Sequence, residues 1–351
     1  MEYVQLGKSG LKVSKVILGA MSFGDPSEKG GSMSWTIPEA EALSVLKRAF
    51  DLGINTWDTA NIYSNGESER IIGKALRHYK IPRERVVILS KIFAGMPEDI
   101  ENLSDQERFI KMSVNDGDMV NQVGLSRKHI FDAVDAGIAR LGTYMDILQI
   151  HRLDRDTPRE EIMKALNDVV ESGKARYIGA CSMHAWELQS LQNIAKENGW
   201  HQFISMQDYY SLLYRENERE MIPYCKDVGI GIIPYSPLAR GLLARPHNAE
   251  PTKRQKSDVF AEFLLGKTTN ADVEIIGRVE TLAKKKGTTM AAIALAWCSS
   301  RGVIPIVGIG SVERVNETVE GFKLAKARLL QKEDIEFLEE KYVAKSELAM
   351  V

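Results

Sequence analysis

A chain of 351 residues with 46 Lys and Arg against 48 Asp and Glu carries a formal charge of −2, so nothing global points to nucleic acid or an anionic membrane as partner. Three cysteines, Cys181, Cys225 and Cys298, are too few and too scattered for a disulfide framework or a metal-ligating pattern, which fits a reducing, cytoplasmic setting and no metal. No apolar run approaches the roughly 20 residues of a membrane span, and the start, MEYVQLGKSGLKVS, lacks the pattern of a secretory signal.

Taken in order, residues 3–6 and 11–13 alternate around Gly7-Lys8-Ser9-Gly10, the pattern of a β-hairpin. Residues 16–20, VILGA, form a continuous apolar run of the kind found in a strand buried on both faces. Pro38 opens a helix with Leu43, Leu46 and Phe50 on one face, and Gly53 closes it. The unit then recurs. Further strand candidates lie at 54–57, 86–89, 147–150, 177–180, 203–206, 230–234 and 303–307, making eight in all. Helical patterns fall between them at 67–78, 126–141, 158–172, 186–198, 216–228 and 273–301, the last broken near Gly287, and a final one starts near Ser311.

Strands alternating with helices imply right-handed βαβ units and a parallel sheet. Eight repeats predict an α/β fold, a (β/α)8 TIM barrel, as one domain over residues 1–351 with the hairpin at its start. Three connections are too long for plain joins: 23–37, 92–125 and 238–270. Each follows a strand, on the face where barrels bind substrates. The charged, Met-containing stretch 96–123 reads as a mobile lid over a substrate or as a surface insertion.

Four ionisable residues stand at strand exits or just beyond: Asp58 in WDTANIY, Tyr63 in the same loop, Lys91 in VVILSK and His151 in DILQIH. In a barrel these exits converge on one rim. Alone, each has a bland explanation: a turn cap, a half-buried aromatic, a solvated strand end, a structural histidine. Together they form a coherent proton-donating site. Reducing a carbonyl by hydride needs a proton for the oxygen. A phenol is a weak acid near neutrality, and an ammonium beside it makes Tyr63 a better donor. Asp58 can hold Lys91 protonated, and His151 can donate to the carbonyl oxygen.

These residues match the Asp–Tyr–Lys–His tetrad of the aldo-keto reductases, which the chain resembles over roughly residues 3 to 325. The likeness runs through VSKVILGAMSFG, GESERIIGKAL, YIGACSM, YSPLARGLL and IPIVGIGSVERVNETV, and is nearest to the fungal aryl-alcohol dehydrogenase and versiconal hemiacetal acetate reductase types. No G-x-G-x-x-G follows a strand, so a Rossmann site is not expected. The resemblance instead implies a nicotinamide dinucleotide extended across the barrel rim. Carried over by position, Gly19, Met21 and Asp58 face the cofactor, Ser182 and Gln207 hold the carboxamide, and Tyr235 stacks on the nicotinamide. Ser236, Leu238 and Gly241 line the pyrophosphate, while Gly308, Ser311, Arg314 and Glu317 hold the adenosine half. Ser311 at a helix start and Arg314 suit a 2′-phosphate, so NADPH is expected in preference to NADH.

Three departures qualify that carry-over: Met183 stands where the family usually has Asn, Gly310 where many members have Lys or Arg, and Thr318 where Asn is usual. The basic run 253–256 reads as solvated surface. Phe23, Trp35 and Phe93 lie in loops after the first and third strands, where they either wall a pocket for aromatic or bulky carbonyls or pack the loops themselves. The expected activity is NADPH-dependent reduction of an aldehyde or ketone, or the reverse on an alcohol. Two alternatives stay open: a nicotinamide-binding regulatory subunit with little turnover, and a barrel aldolase or isomerase with no need of nicotinamide.

Overall fold

The structure, a computed structural model, describes residues 1–25, 35–97, 103, 105–257, 268–326 and 330–348. The chain begins with an antiparallel pair, β1 (Tyr3–Gln5) and β2 (Lys12–Ser14), with Tyr3 opposite Ser14. Eight parallel strands follow: β3 (Ile17–Gly19), β4 (Thr56–Asp58), β5 (Val87–Ile92), β6 (Met145–Ile150), β7 (Ala175–Cys181), β8 (Phe203–Gln207), β9 (Gly231–Ile232) and β10 (Ile306–Gly308). They pair in the order β10-β3-β4-β5-β6-β7-β8-β9. The two ends of this ladder meet. The Ile304 N–H donates to Ile232 O at 2.9 Å, the Ile306 N–H donates to Pro234 O at 2.8 Å, and Tyr235 bridges Ile306 in parallel. Each of the eight apolar runs is a strand of the expected (β/α)8 barrel, with ends displaced by a few residues.

Helices connect the strands where the periodicity places them. Pro38 precedes the helix Glu39–Asp51, and Gly66 precedes Glu67–His78. The Ser126 hydroxyl accepts the His129 N–H at the start of Arg127–Leu141. The break near Gly287 is real: Asn270–Lys286 ends there at a φ of 62°, and the Thr289 hydroxyl caps Met290–Ser300. The pattern 216–228 resolves into a short 3-10 turn, Glu216–Glu218, and the helix Met221–Val228. Inside the 92–125 connection lies a helix that the sequence reading did not anticipate, Asp105–Ser113; residues 98–102 and 104 of the stretch read as a lid lie outside the described residues.

Two apolar clusters divide the core. One lies between the strands and the surrounding helices. The other fills the barrel, with Val13, Ile17, Val87, Leu89, Ile147, Ile233, Ile304 and Ile306 joined by Leu6 of the hairpin. The Lys8 N–H donates to Gly229 O at 2.8 Å, just ahead of β9, so the hairpin plugs the end where the strands begin. Polar side chains gather at the other end. No helix among the described residues is long and apolar enough to cross a membrane.

Candidate active site

Strand pairing sets three of the four candidate residues on neighbouring strand ends. Asp58 ends β4, Lys91 lies in β5, and His151 follows β6 with its N–H donating to Ile92 O at 2.8 Å. Tyr63 reaches them because its loop turns sharply: Ser64, Asn65 and Gly66 have φ of 46°, 50° and 83° in succession. Left-handed backbone at two non-glycine residues is strain of the kind that gathers at functional sites. The Lys91 ammonium donates to the Tyr63 hydroxyl at 3.2 Å, and the His151 ring meets the Tyr63 ring edge-on with centroids 6.1 Å apart. All four residues come together.

The charges are tightly partnered. Lys91, which has no exposed surface, donates to Asp58 Oδ1 at 2.5 Å, to Thr59 O at 2.9 Å and to Tyr63, which occupies the three protons of an ammonium. Asp58 Oδ2 accepts from Gln149 Nε2 at 3.0 Å and from Gln207 Nε2 at 2.9 Å, and Gln207 Nε2 also donates to Gln149 Oε1 at 3.0 Å. Burial works against the Lys91 cation, yet the Asp58 carboxylate, helped by Tyr63, holds its pKa above the ordinary lysine range.

For Tyr63, burial outweighs the pull of Lys91 and raises the phenol above its ordinary range. The ammonium alone would lower the phenol's pKa, as expected from the sequence, and dehydration reverses the net sign. His151 is driven well below the ordinary imidazole range by burial and by the Lys91 and Arg152 charges, so it is neutral at pH 7. Burial pushes the Cys181 thiol up to about 12, which leaves it inert as a nucleophile.

The residues expected to face a cofactor occupy consecutive exits around the rest of the rim, from β7 through β10 to β3. Ser182 leaves β7 with a φ of 47°, its N–H donating to Gln207 O at 3.2 Å and its buried hydroxyl beside the Tyr235 phenol without a well-formed hydrogen bond among the described residues. Tyr235, half-buried, follows β9 and lies 5.6 Å from the Tyr209 ring. Beyond it the backbone is left-handed at Ser236, Ala239, Arg240 and Gly241, with half-buried Leu238 among them. At β10, Gly308 is exposed, and the Ser311 hydroxyl accepts the Arg314 N–H at 3.3 Å at the start of the helix Val312–Lys326, from which Arg314 and Glu317 face solvent. Gly19 in β3 abuts Ile306, and Met21 is half-buried.

Among the aromatics, Phe23 has no exposed surface and belongs to the main core, which is the loop-packing role. Trp35 is nearly buried, with the Arg254 guanidinium 4.2 Å over its ring, and Phe93 keeps part of its surface. Arg254 therefore departs from the solvated surface expected of the run 253–256; it is half-buried and also approaches Gly308. Sequence reasoning missed Gln149, Arg152 and Asp208. The signal for Gln149 is its parity: it stands two residues before His151, so both point to the same side of β6.

A closed parallel barrel with Asp, Tyr, Lys and His joined at its C-terminal mouth defines an enzyme of the barrel oxidoreductase class. The chain belongs to the aldo/keto reductase family, whose model matches residues 15–342. It is 54% identical over 348 residues to a versiconal hemiacetal acetate reductase of Aspergillus parasiticus, covering 99% of this chain and 98% of that protein. A Schizosaccharomyces pombe protein provisionally named an aryl-alcohol dehydrogenase is 51% identical over 344 residues, 97% of this chain and 95% of its own. An aldo-keto reductase of Metarhizium robertsii is 46% identical over 347 residues, 98% and 91% of the two chains. The family acts on small-molecule carbonyl compounds and generally uses a nicotinamide cofactor.

Proposed function

We propose that the protein reduces aldehydes or ketones, aromatic or bulky ones above all, with NADPH as hydride source and Tyr63 as proton donor. The observation that carries this reading is the Lys91–Tyr63 contact at 3.2 Å, held from behind by the Asp58 ion pair. The residues present fit the cofactor. The Ser182 hydroxyl beside Gln207, buried without a well-formed hydrogen bond, suits a carboxamide, and the loop after β9, left-handed at Ser236, Ala239, Arg240 and Gly241, bends tightly enough for its backbone to approach a phosphate. Arg314 on the surface of its helix, with Arg254 near Gly308, favours a 2′-phosphate and hence NADPH over NADH.

When bound, the nicotinamide supplies hydride to the carbonyl carbon. Everything else falls to the chain. Neutral His151 donates a hydrogen bond to the carbonyl oxygen and orients it toward Tyr63. Tyr63 holds its proton through neutral pH because burial raises its pKa. As charge develops on the substrate oxygen, Tyr63 passes that proton across, and Lys91 stabilises the phenolate that results. Asp58 keeps Lys91 charged and aimed. Phe93, which keeps part of its surface, supplies an apolar wall suited to a bulky carbonyl substrate, while Trp35 is covered by Arg254.

The test is NADPH oxidation with a panel of aromatic and aliphatic aldehydes, native protein against Tyr63→Phe. Turnover should fall by about 10²-fold or more in the variant, with dinucleotide binding retained. Equal turnover in the two proteins would remove Tyr63 from the mechanism. Tight NADPH binding without turnover on any carbonyl would favour a regulatory subunit.

A further inference from the structure

We propose that Gln149 is a positioning residue: together with Asp58 it fixes the orientation of the Gln207 amide, so that Gln207 presents its oxygen, not its NH2, to a bound nicotinamide. The inference rests on the reading that a nicotinamide dinucleotide binds at this rim. One N–H of Gln207 donates to Asp58 Oδ2 at 2.9 Å and the other to Gln149 Oε1 at 3.0 Å, while Gln149 Nε2 donates to the same Asp58 oxygen at 3.0 Å. Both donors of the Gln207 side chain are thereby engaged. Its Oε1 is the atom left for a ligand.

Turning the Gln207 amide over would set its oxygen against the Asp58 carboxylate and against Gln149 Oε1. Two acceptor–acceptor contacts in a buried site are costly, so the carboxylate charge, relayed through two amides, locks the polarity of the Gln207 amide. Ser182 supplies the complementary half. It is tied to β8 through its N–H on Gln207 O at 3.2 Å, and its buried hydroxyl, beside the Tyr235 phenol, makes no well-formed hydrogen bond among the described residues. A carboxamide placed there receives a hydrogen bond on its oxygen from Ser182 and gives one from its NH2 to Gln207 Oε1. Met183, 1% exposed, adds no amide that could serve either group.

The barrel is shaped to admit this relay. Gly179 of β7 lies between the two glutamine strands, and a Cβ there would sit 2.5 Å from Ser205 Oγ and 3.1 Å from Gln149 Cγ. Without that side chain, Gln149 crosses from β6 to reach Gln207 on β8. Gln149 is thus a positioning residue that acts through Gln207.

A pair of dinucleotides tests this: NADP+ and 3-acetylpyridine adenine dinucleotide phosphate, in which a methyl replaces the carboxamide NH2. Dissociation constants for both are measured by quenching of tryptophan fluorescence on native protein, Gln149→Met and Gln207→Met, with thermal unfolding to show that each variant is folded. Native protein should bind NADP+ about tenfold or more tightly than the analogue, because the analogue leaves Gln207 Oε1 unpaired. In Gln149→Met one of the two contacts that fix the Gln207 amide is gone and only Asp58 Oδ2 still opposes the turned orientation, so the ratio should shrink, to about threefold. Gln207→Met should lose discrimination as well, and decides the matter if Gln149→Met does not fold. A structural lesion would weaken both ligands alike and preserve the ratio. Native discrimination retained in the folded variants would overturn the proposal, as would native protein that binds both ligands equally. Failure of both dinucleotides to bind native protein would instead overturn the nicotinamide reading on which it rests.

Discussion

Asp208 stands one position beyond Gln207 at the exit of β8, 3% exposed and with neither carboxylate oxygen hydrogen-bonded among the described residues. Burial pushes its pKa from 3.8 up to about 7, and Arg152 and the nearby Ser182 N–H offset this only in part. Between those two values the native carboxyl holds a proton that the unfolded chain has lost, so stability falls as pH rises and stays low above about 7. Asp208→Asn removes that titration. The variant should therefore be more stable than native protein at pH 8 by a few kcal/mol, with the advantage fading toward pH 5. Urea unfolding at the two pH values measures it, and an advantage of equal size at both would mean that the carboxylate charge is not its source. The residue also marks how far sequence reading reaches at this scale. Asp58, Tyr63, Lys91 and His151 are legible because each ends or follows an apolar run. Gln149 and Asp208 are not, since one acid after a glutamine reveals nothing, nor does one polar residue inside DILQIH until strands 58 and 91 residues away close around it.

The helix Glu67–His78 carries one of the segments that resemble the family, GESERIIGKAL, yet those residues hold the fold, and no hydrogen bond joins them to a tetrad side chain among the described residues. Ser68 donates to Ala20 O at 2.8 Å, which ties the helix to the end of β3. Glu69, fully buried, accepts from Ser90 Oγ at 2.5 Å and from Arg140 Nε at 2.6 Å, joining β5 and the helix Arg127–Leu141. At Gly73 a Cβ would stand 2.2 Å from Leu141 O, so the two helices approach through a bare backbone. Glu69→Ala leaves the Arg140 guanidinium buried without its carboxylate, a loss of about 3–5 kcal/mol. Gly73→Ala forces the helices apart and should cost about 1–3 kcal/mol. Denaturant unfolding should show both losses, with kcat per folded molecule kept at low temperature; a collapse of kcat in folded Gly73→Ala would contradict a packing role. Periodicity placed this helix to the residue. It missed Asp105–Ser113, whose pattern is short and lies inside a charged, Met-containing insertion that reads equally well as loop.

Across the whole molecule the barrel separates its two tasks by layer. Apolar residues from β3, β5, β6 and β10, with Ile233 and Ile304, fill the lower interior, and the hairpin closes it with Leu6. The polar set of Asp58, Lys91, Gln149 and Gln207 occupies the upper interior, facing the loops. Stability should therefore be adjustable from the hairpin end without disturbing the chemistry. Gly7 offers the sharpest test: its φ is +60°, and a Cβ would fall 2.3 Å from Gly229 O and 2.6 Å from Gly231 N. Gly7→Ala must strain the turn and lift the hairpin from β9, at about 2–3 kcal/mol. The expected result is a Tm lowered by a few degrees, with kcat/KM for an aldehyde unchanged within about twofold at a temperature where the variant is fully folded, since 1.4 kcal/mol of lost catalytic stabilisation would already show as about tenfold. A fall in kcat/KM that tracks the loss of stability would mean that the plug and the mouth are mechanically coupled through the barrel, and that the apolar layer transmits strain instead of isolating the site from it.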